Sequence, residues 1–135
     1  YNFTLNTDLN SACTQWGEPF SDGDVCDWGQ EAHVDGQFEE LKQEFVNRGV
    51  PVILGEYGVI HRTSLSGEEY EKHVEARKYY LGYVTKKAVE NGVIPFYWDN
   101  GHNGNNGFAL FNRQDGSVVD EGALQALMKG AGKLD

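Results

Sequence analysis

The spacing of apolar residues predicts three helices along the chain. Apolar residues in 34–47 recur every three or four positions, and Gly49 provides a stop. Ser66 and the glutamate three residues later have the spacing of a capping box, which predicts a helix over 66–91. A short helix is predicted over 121–129.

Two apolar runs, 50–56 and 93–98, are predicted to be strands. Both are uncharged almost to their ends and rich in β-branched or aromatic residues, which is typical of parallel strands buried on both faces. The first run ends on Glu56, which lies between Gly55 and Gly58 in the sequence. The helix between the runs gives a strand–helix–strand order, which implies parallel neighbours joined by a right-handed crossover.

The predicted fold class is therefore α/β, but two parallel strands do not form an independent sheet, since roughly four to six strands are usual. We expect residues 1–135 to be a portion of one larger α/β domain. Residues 1–32 have no sustained period and are predicted to be a long loop, which is usually functional at this length.

Length, composition and charge narrow the classes of function. The chain has 135 residues, enough for one domain, and 39% hydrophobic residues, as in a globular protein. Its net charge of −10 argues against nucleic acid or an anionic membrane as a partner and suits a neutral ligand. No run approaches the roughly 18 apolar residues of a membrane span. The start at Tyr1 shows no signal-peptide pattern and reads like the interior of a longer sequence.

Two cysteines, Cys13 and Cys26, lie in the N-terminal loop. A disulfide that closes the loop and a pair of free thiols are about equally compatible with the residues, whereas two thiols supply only half of a zinc site. Asn2-Phe3-Thr4 is a glycosylation sequon, although such triplets also occur by chance. Together these features favour a secreted, extracellular setting.

Glu56 and Trp98 are the strongest candidates for chemistry, because each lies where a predicted strand ends. Carboxyl ends of parallel strands carry the catalytic groups of α/β folds, so Glu56 is either a nucleophile, base or ligand, or a solvated strand end. An indole face packs against the C–H face of a pyranose, so Trp98 is either a sugar platform or a core residue.

Weaker candidates lie in the loops. Asn100 belongs to an Asn-rich segment that favours either contacts to sugar hydroxyls or an ordinary turn. Trp16 and Trp28 are either ligand platforms or residues that fold under the N-terminal loop. The four histidines lack metal-ligand spacing, and there is no phosphate-binding loop or serine nucleophile elbow. We therefore expect no metal site and no cofactor.

The segments "PVILGEYG", "IPFYWDNG" and "FALFNR", with "YNFTLN" and "TQWG" near the start, closely resemble the C-terminal part of glycoside hydrolase family 5. The similarity is to endo-β-1,4-glucanases (cellulases), including those active on xyloglucan, and it covers about residues 1–129. It implies the C-terminal part of a (β/α)8 TIM barrel, incomplete without the N-terminal part. Strand seven would be 50–56, strand eight 93–98, and 1–32 the long loop after strand six.

The resemblance also implies roles for single residues. Glu56 would be the nucleophile of a retaining mechanism, and Trp98 the platform under the sugar being cleaved. Trp16 would be a candidate for a flanking sugar site, and Asn100 a weaker candidate for a hydroxyl contact. The substrate would be a cellulose-type β-glucan or xyloglucan.

One part of the family's pattern is missing. A retaining hydrolase needs two carboxyl groups about 5–5.5 Å apart, and the family's acid/base, a Glu after an Asn, has no counterpart because no Asn-Glu dipeptide occurs. We expect the N-terminal part of the barrel, on another chain, to supply it. A carbohydrate-binding protein without catalysis and an inactive fragment are the alternative interpretations.

Overall fold

A computed structural model of the protein describes residues 1–134. The chain forms α1 (Glu31–Glu44), β1 (Val52–Tyr57), α2 (Gly67–Glu90), β2 (Val93–Tyr97) and α3 (Glu121–Gly130), with short 3-10 turns at Glu18–Phe20 and Val46–Arg48. Among residues 1–134, no helix combines the length and apolar character needed to cross a membrane. Helices and strands alternate, as the α/β prediction requires.

The ends of the helices differ in detail from the predicted ones. α1 begins three residues early and stops before Phe45, whose φ of −127° lies outside the helical region. Gly49 then ends the following turn at a left-handed φ of 78°, as predicted. Ser66 is the N-cap of α2, but its side chain makes no capping hydrogen bond. The predicted capping box is therefore wrong, because Gly67, at φ 56°, takes the backbone out of helical geometry directly after Ser66.

β1 and β2 are parallel neighbours, and α2 connects them. Leu54 pairs with Pro95 and Tyr57 pairs with Tyr97, so β1 has one more residue than β2 between the two pairs. The extra residue is a β-bulge, which changes the direction of the side chains that follow it. Pro95 is tolerated although it lies inside β2.

The two faces of this sheet have different surroundings. One face packs against α1 and α2, where Val93 is buried and Val52 and Leu54 are half-buried. The other face is open and apolar, with exposed fractions of 60% for Ile53 and 53% for Phe96. The prediction of strands buried on both faces therefore holds on one side only, because no other layer within residues 1–134 covers the second side.

The core lies between the sheet, the helices and the N-terminal loop. Its larger cluster joins the loop to α2 and α3 and contains Phe3, Trp16, Val59, Ala76, Leu81, Leu110, Ala123 and Leu127. Its smaller cluster lies between α1, α2 and the sheet and contains Phe38, Val84, Ala88 and Val93. Burial of each large apolar side chain stabilises the fold by about 1.5–3 kcal/mol.

Two buried polar side chains attach the N-terminal loop to the rest of the molecule. The guanidinium of Arg62 donates hydrogen bonds of 2.8–3.2 Å to the backbone oxygens of Asn2, Phe3 and Asn6. His73 Nε2 accepts the backbone N–H of Arg62 at 3.1 Å, and its Nδ1 lies 2.8 Å from the Thr14 carbonyl. These contacts require a neutral ring with the proton on Nδ1, because Nε2 must accept.

Candidate active site

Glu56 owes its position to the bulge in β1. Side chains alternate between the two faces of a strand, so Glu56 would share the helix-facing side with Leu54 if β1 were regular. Because of the extra residue, it is Tyr57 that returns to the helix side, where its hydroxyl lies 2.6 Å from that of Thr85 in α2. Glu56 is exposed at the end of the strand. The bulge thus presents a carboxylate to solvent beside a half-buried tyrosine.

The loop after β2 closes tightly over the end of β1. A Cβ atom on Gly58 would lie 2.9 Å from Cδ1 of Phe108, so this position needs a glycine if Phe108 is to pack here. The backbone N–H of Trp98 donates to the Tyr57 carbonyl at 2.9 Å. The two strand ends are therefore fixed to each other next to Glu56.

Trp98 follows β2 directly and is 44% exposed, so part of its ring is available to a ligand. Trp98 and Glu56 line one cavity of about 670 Å³. This volume lies within the range of about 300–1,000 Å³ that is typical of ligand sites. The structure thus brings together the two residues that the sequence placed at neighbouring strand ends.

Asp99 and Asn100 hold the loop that follows Trp98. The Asp99 carboxylate accepts the backbone N–H groups of Gly101 at 2.6 Å and Leu110 at 2.9 Å. Burial acts to raise the pKa of Asp99, but these hydrogen bonds outweigh it and hold the pKa below its usual value. Asn100 Oδ1 accepts two backbone N–H groups, including that of Phe108. Because this oxygen already accepts hydrogen bonds from the loop backbone, its role in the structure is to hold the turn. A contact of Asn100 with a sugar hydroxyl stays a prediction.

A buried arginine connects the two strand ends to α2 and α3. Arg77 Nε donates to the Val59 carbonyl at 2.9 Å, and Arg77 Nη2 lies 3.2 Å from the Tyr97 hydroxyl. Arg77 Nη1 pairs with the carboxylate of Asp120, which is the N-cap of α3. The Tyr97 hydroxyl donates to the Phe108 carbonyl at 2.6 Å, and burial raises the pKa of Tyr97 to about 12. Sequence reasoning gave Arg77 no role, although a charged residue on the apolar face of a helix is a signal for such a contact.

The tryptophans of the N-terminal loop have different surroundings. Trp16 is 2% exposed and packs against the rings of Tyr79, Tyr80 and Tyr83 on α2. Trp16 also lines the cavity that contains Glu56, and the expectation that it contributes to a flanking sugar site stays a prediction. Trp28 is 70% exposed and lines the same cavity as Glu56. A disulfide joins Cys13 to Cys26 two residues before Trp28.

The ionisable groups around the cavity are few. Of the cavity-lining residues, Glu56 and Asp27 carry carboxylates. The imidazole of His33 also lines the cavity and lies next to the Trp28 ring. Within residues 1–134, no group of three or more histidine, cysteine, aspartate or glutamate side chains is arranged to hold a metal ion. The site therefore offers an exposed carboxylate next to aromatic surfaces, a combination suited to binding a neutral, ring-shaped ligand.

Comparison with known proteins gives consistent matches. The family model described as "Cellulase (glycosyl hydrolase family 5)" matches residues 1–104. The xyloglucan-specific endo-beta-1,4-glucanase of Bacteroides ovatus is 38% identical over 96% of this chain and 25% of its own length. Endoglucanase A of Paenibacillus barcinonensis is 38% identical over 90% of this chain and 30% of its own length.

Solved structures agree with these sequence matches. The family 5 xyloglucanase of Bacteroides ovatus, in complex with an XXXG heptasaccharide, superposes with a TM-score of 0.89 at 38% identity, over 96% of this chain and 27% of its own. The family 5 xyloglucanase of Paenibacillus pabuli gives a TM-score of 0.86 at 38% identity, over 96% of this chain and 34% of its own. The chain thus spans about a quarter to a third of the length of these relatives.

Proposed function

The chain belongs to glycosyl hydrolase family 5 and forms a C-terminal part of its (β/α)8 barrel, and on that premise we propose that it supplies the nucleophile half of a retaining endo-β-1,4-glucanase. The observation that carries the proposal is the position of Glu56. Glu56 lies beside a bulge near the end of β1, is exposed, and lines a cavity together with Trp98. Such a carboxylate at the C-terminal end of a barrel strand is where catalysis occurs in this architecture.

The proposed reaction has two steps. Glu56 attacks the anomeric carbon while an acid on the opposite side protonates the leaving oxygen, so that a glycosyl ester forms as the glycosidic bond breaks. In the second step the acid, which has lost its proton, acts as a base. It takes a proton from a water molecule, which attacks the anomeric carbon and releases Glu56. Trp98 lies beneath the sugar ring at which the bond is cleaved.

We infer that the second carboxyl group lies on another part of the barrel, because the Asn-Glu dipeptide that carries the acid/base in the family does not occur in this sequence. We assign β1 to strand seven and β2 to strand eight of the barrel, with the N-terminal loop following strand six. The acid/base then belongs to the N-terminal part of the same barrel, which we propose as the structural partner of this chain. A native mass measurement would identify that part, on a separate chain or on a longer polypeptide.

The proposed substrate is a β-1,4-glucan, either cellulose-type or xyloglucan. The relatives named above are an endoglucanase and xyloglucan-specific enzymes, and a net charge of −10 suits a neutral polysaccharide. The disulfide and the Asn2 sequon support a further proposal that the protein acts outside the cell.

Replacement of Glu56 by Gln in the complete barrel tests the proposal. The amide keeps the shape of the side chain but cannot form the glycosyl ester, so we expect turnover of carboxymethyl cellulose and xyloglucan to fall by on the order of 10³-fold, or about 4 kcal/mol of barrier. Glu71→Gln is the matched control, because Glu71 is an exposed carboxylate on α2.

The result also separates the enzyme from its alternatives. A carbohydrate-binding protein without catalysis would bind xyloglucan oligosaccharide equally well in both variants, with no turnover in either. Full activity of the Glu56→Gln variant would contradict the proposed nucleophile.

A further inference from the structure

Arg77 is a buried charged side chain that the proposed reaction does not use. Only 2% of it is exposed, although an arginine is almost never fully buried unless it is paired. Its counter-ion is Asp120, whose other carboxylate oxygen accepts the backbone N–H of Ala123 at 2.9 Å. Apolar residues of similar volume often replace a buried ion pair without loss of stability, so stability alone does not explain an arginine at this position.

The other nitrogens of Arg77 face the two segments that carry the candidate catalytic groups. Arg77 Nε donates to the Val59 carbonyl at 2.9 Å, three residues after Glu56. Arg77 Nη2 donates to the Tyr97 hydroxyl at 3.2 Å, directly before Trp98. One planar guanidinium therefore contacts the continuation of β1 and the end of β2 at once, in a geometry that a lysine does not reproduce.

The Tyr97 hydroxyl extends this connection to the loop after β2. It donates to the Phe108 carbonyl at 2.6 Å. The Phe108 ring in turn packs so closely on Gly58 that a Cβ atom there would lie 2.9 Å from its Cδ1. The series of contacts that starts at Arg77 thus returns to the chain two residues after Glu56 and encloses both strand ends.

We propose that Arg77 is a positioning residue for the glycosidase reaction. By holding the two strand ends, it keeps the Glu56 carboxylate and the Trp98 ring at the separation that attack on the anomeric carbon requires. Its side chain is buried outside the cavity, so it acts through the strand ends and does not touch the sugar. A displacement of about 1 Å at a reacting group costs up to about 10²-fold in rate. This inference rests on the proposed function, because it takes Glu56 as the nucleophile.

The test measures the attack itself in the complete barrel with Arg77→Lys. A 2-deoxy-2-fluoro cellobioside with a good leaving group inactivates a retaining enzyme by binding first and forming the glycosyl ester second. We expect the first-order rate constant of ester formation to fall by about 10- to 100-fold, because the nucleophile is displaced. The half-saturating concentration of the inhibitor should change less than about threefold, because every group that touches the sugar is retained.

Two further variants separate positioning from stability. Tyr97→Phe removes only the hydroxyl that Arg77 contacts and should give a smaller fall in the same rate constant. Val93→Ala is the control, because Val93 is buried at the opposite end of β2 and its truncation destabilises the fold away from the site. All rates are compared well below the Tm of each variant, so that only folded protein is measured. Val93→Ala should then form the ester at the native rate.

A lower Tm in Arg77→Lys with an unchanged rate of ester formation would overturn the proposal and leave Arg77 a purely structural role. An unchanged rate in Tyr97→Phe would also overturn it, and this variant decides the matter if Arg77→Lys does not fold. Peptide mass spectrometry of the inactivated native sequence keeps the two proposals apart. With the label on Glu56, an unchanged rate in the variants overturns positioning alone. A label on another carboxylate overturns the nucleophile and this inference together.

Discussion

At the scale of single residues, Glu56 and Tyr57 are neighbours in β1 that serve opposite sides of the sheet. Both residues line the cavity that contains Trp98, but the Tyr57 hydroxyl lies 2.6 Å from that of Thr85 in α2, whereas Glu56 is exposed. Simple alternation from Leu54 would direct Glu56 towards the helices, so the bulge is what makes the carboxylate available. A bulge has no unique sequence signal, although Gly55 beside Glu56 is compatible with one.

His73 gives a prediction for the pH dependence of stability. Burial is the main reason that the pKa of His73 is lowered from 6.5 to about 4; the hydrogen bond with the Thr14 carbonyl opposes this shift, and the neighbouring Arg62, His61 and Arg77 add to it. Since the unfolded chain takes up the proton first, this contribution to stability is complete above pH 6.5. It is lost as pH falls towards about 4.

We expect His73→Gln to reduce this acid sensitivity in the complete barrel. Between pH 7 and 4.5 the native protein should lose about 2–3 kcal/mol of unfolding free energy through His73, and the variant should lack that part of the decrease. Urea denaturation at the two pH values measures it. The same decrease in both proteins would show that His73 is not the titrating group.

At the scale of elements, α2 is the centre of the chain. Its side chains hold the N-terminal loop through His73, the ends of both strands through Arg77, and α3 through the Arg77–Asp120 pair. Three of its tyrosines cover Trp16. The candidate site is therefore fixed by one helix whose polar buried residues lie among its apolar ones.

The disulfide gives a prediction at this scale. Cys13 and Cys26 are 13 positions apart, and closing a loop of that length stabilises the fold by about 3 kcal/mol on the chain-entropy estimate. The Cys13→Ser, Cys26→Ser double variant should therefore lose about 2–3 kcal/mol in urea denaturation. Reduction of the native protein should have the same effect, and an unchanged stability would contradict it.

Periodicity predicted the order of helices and strands because apolar spacing reflects which faces are buried. It could not place the end of α1 at Glu44, because Phe45 continues the apolar pattern while its backbone leaves the helix. The predicted strand ends placed Glu56 and Trp98 near each other, and in the structure both line one cavity. Trp16 is buried against α2, whereas Trp28 is exposed beside α1. These contacts join residues that are distant in sequence, so composition alone could not predict which tryptophan is buried.

At the scale of the whole molecule, the open face of the sheet explains why this chain is part of a barrel. Ile53, Ile94 and Phe96 expose half or more of their surface, which is unfavourable in water unless other strands cover them. The chain spans about a quarter to a third of its relatives, and this agrees with the two strands it contributes to eight. The sequence predicted this incompleteness from the strand count, because two parallel strands have no stable sheet of their own.

The central claim is that Glu56 is the residue that becomes glycosylated in the complete barrel. A 2-deoxy-2-fluoro cellobioside with a good leaving group forms the glycosyl ester but releases it slowly, so the ester accumulates. Peptide mass spectrometry of the trapped protein then locates the label. The account predicts one fluorosugar on the peptide covering residues 50–62, attached to Glu56, and none on this peptide in the Glu56→Gln variant. A label on any other carboxylate, with Glu56 unmodified, would contradict it.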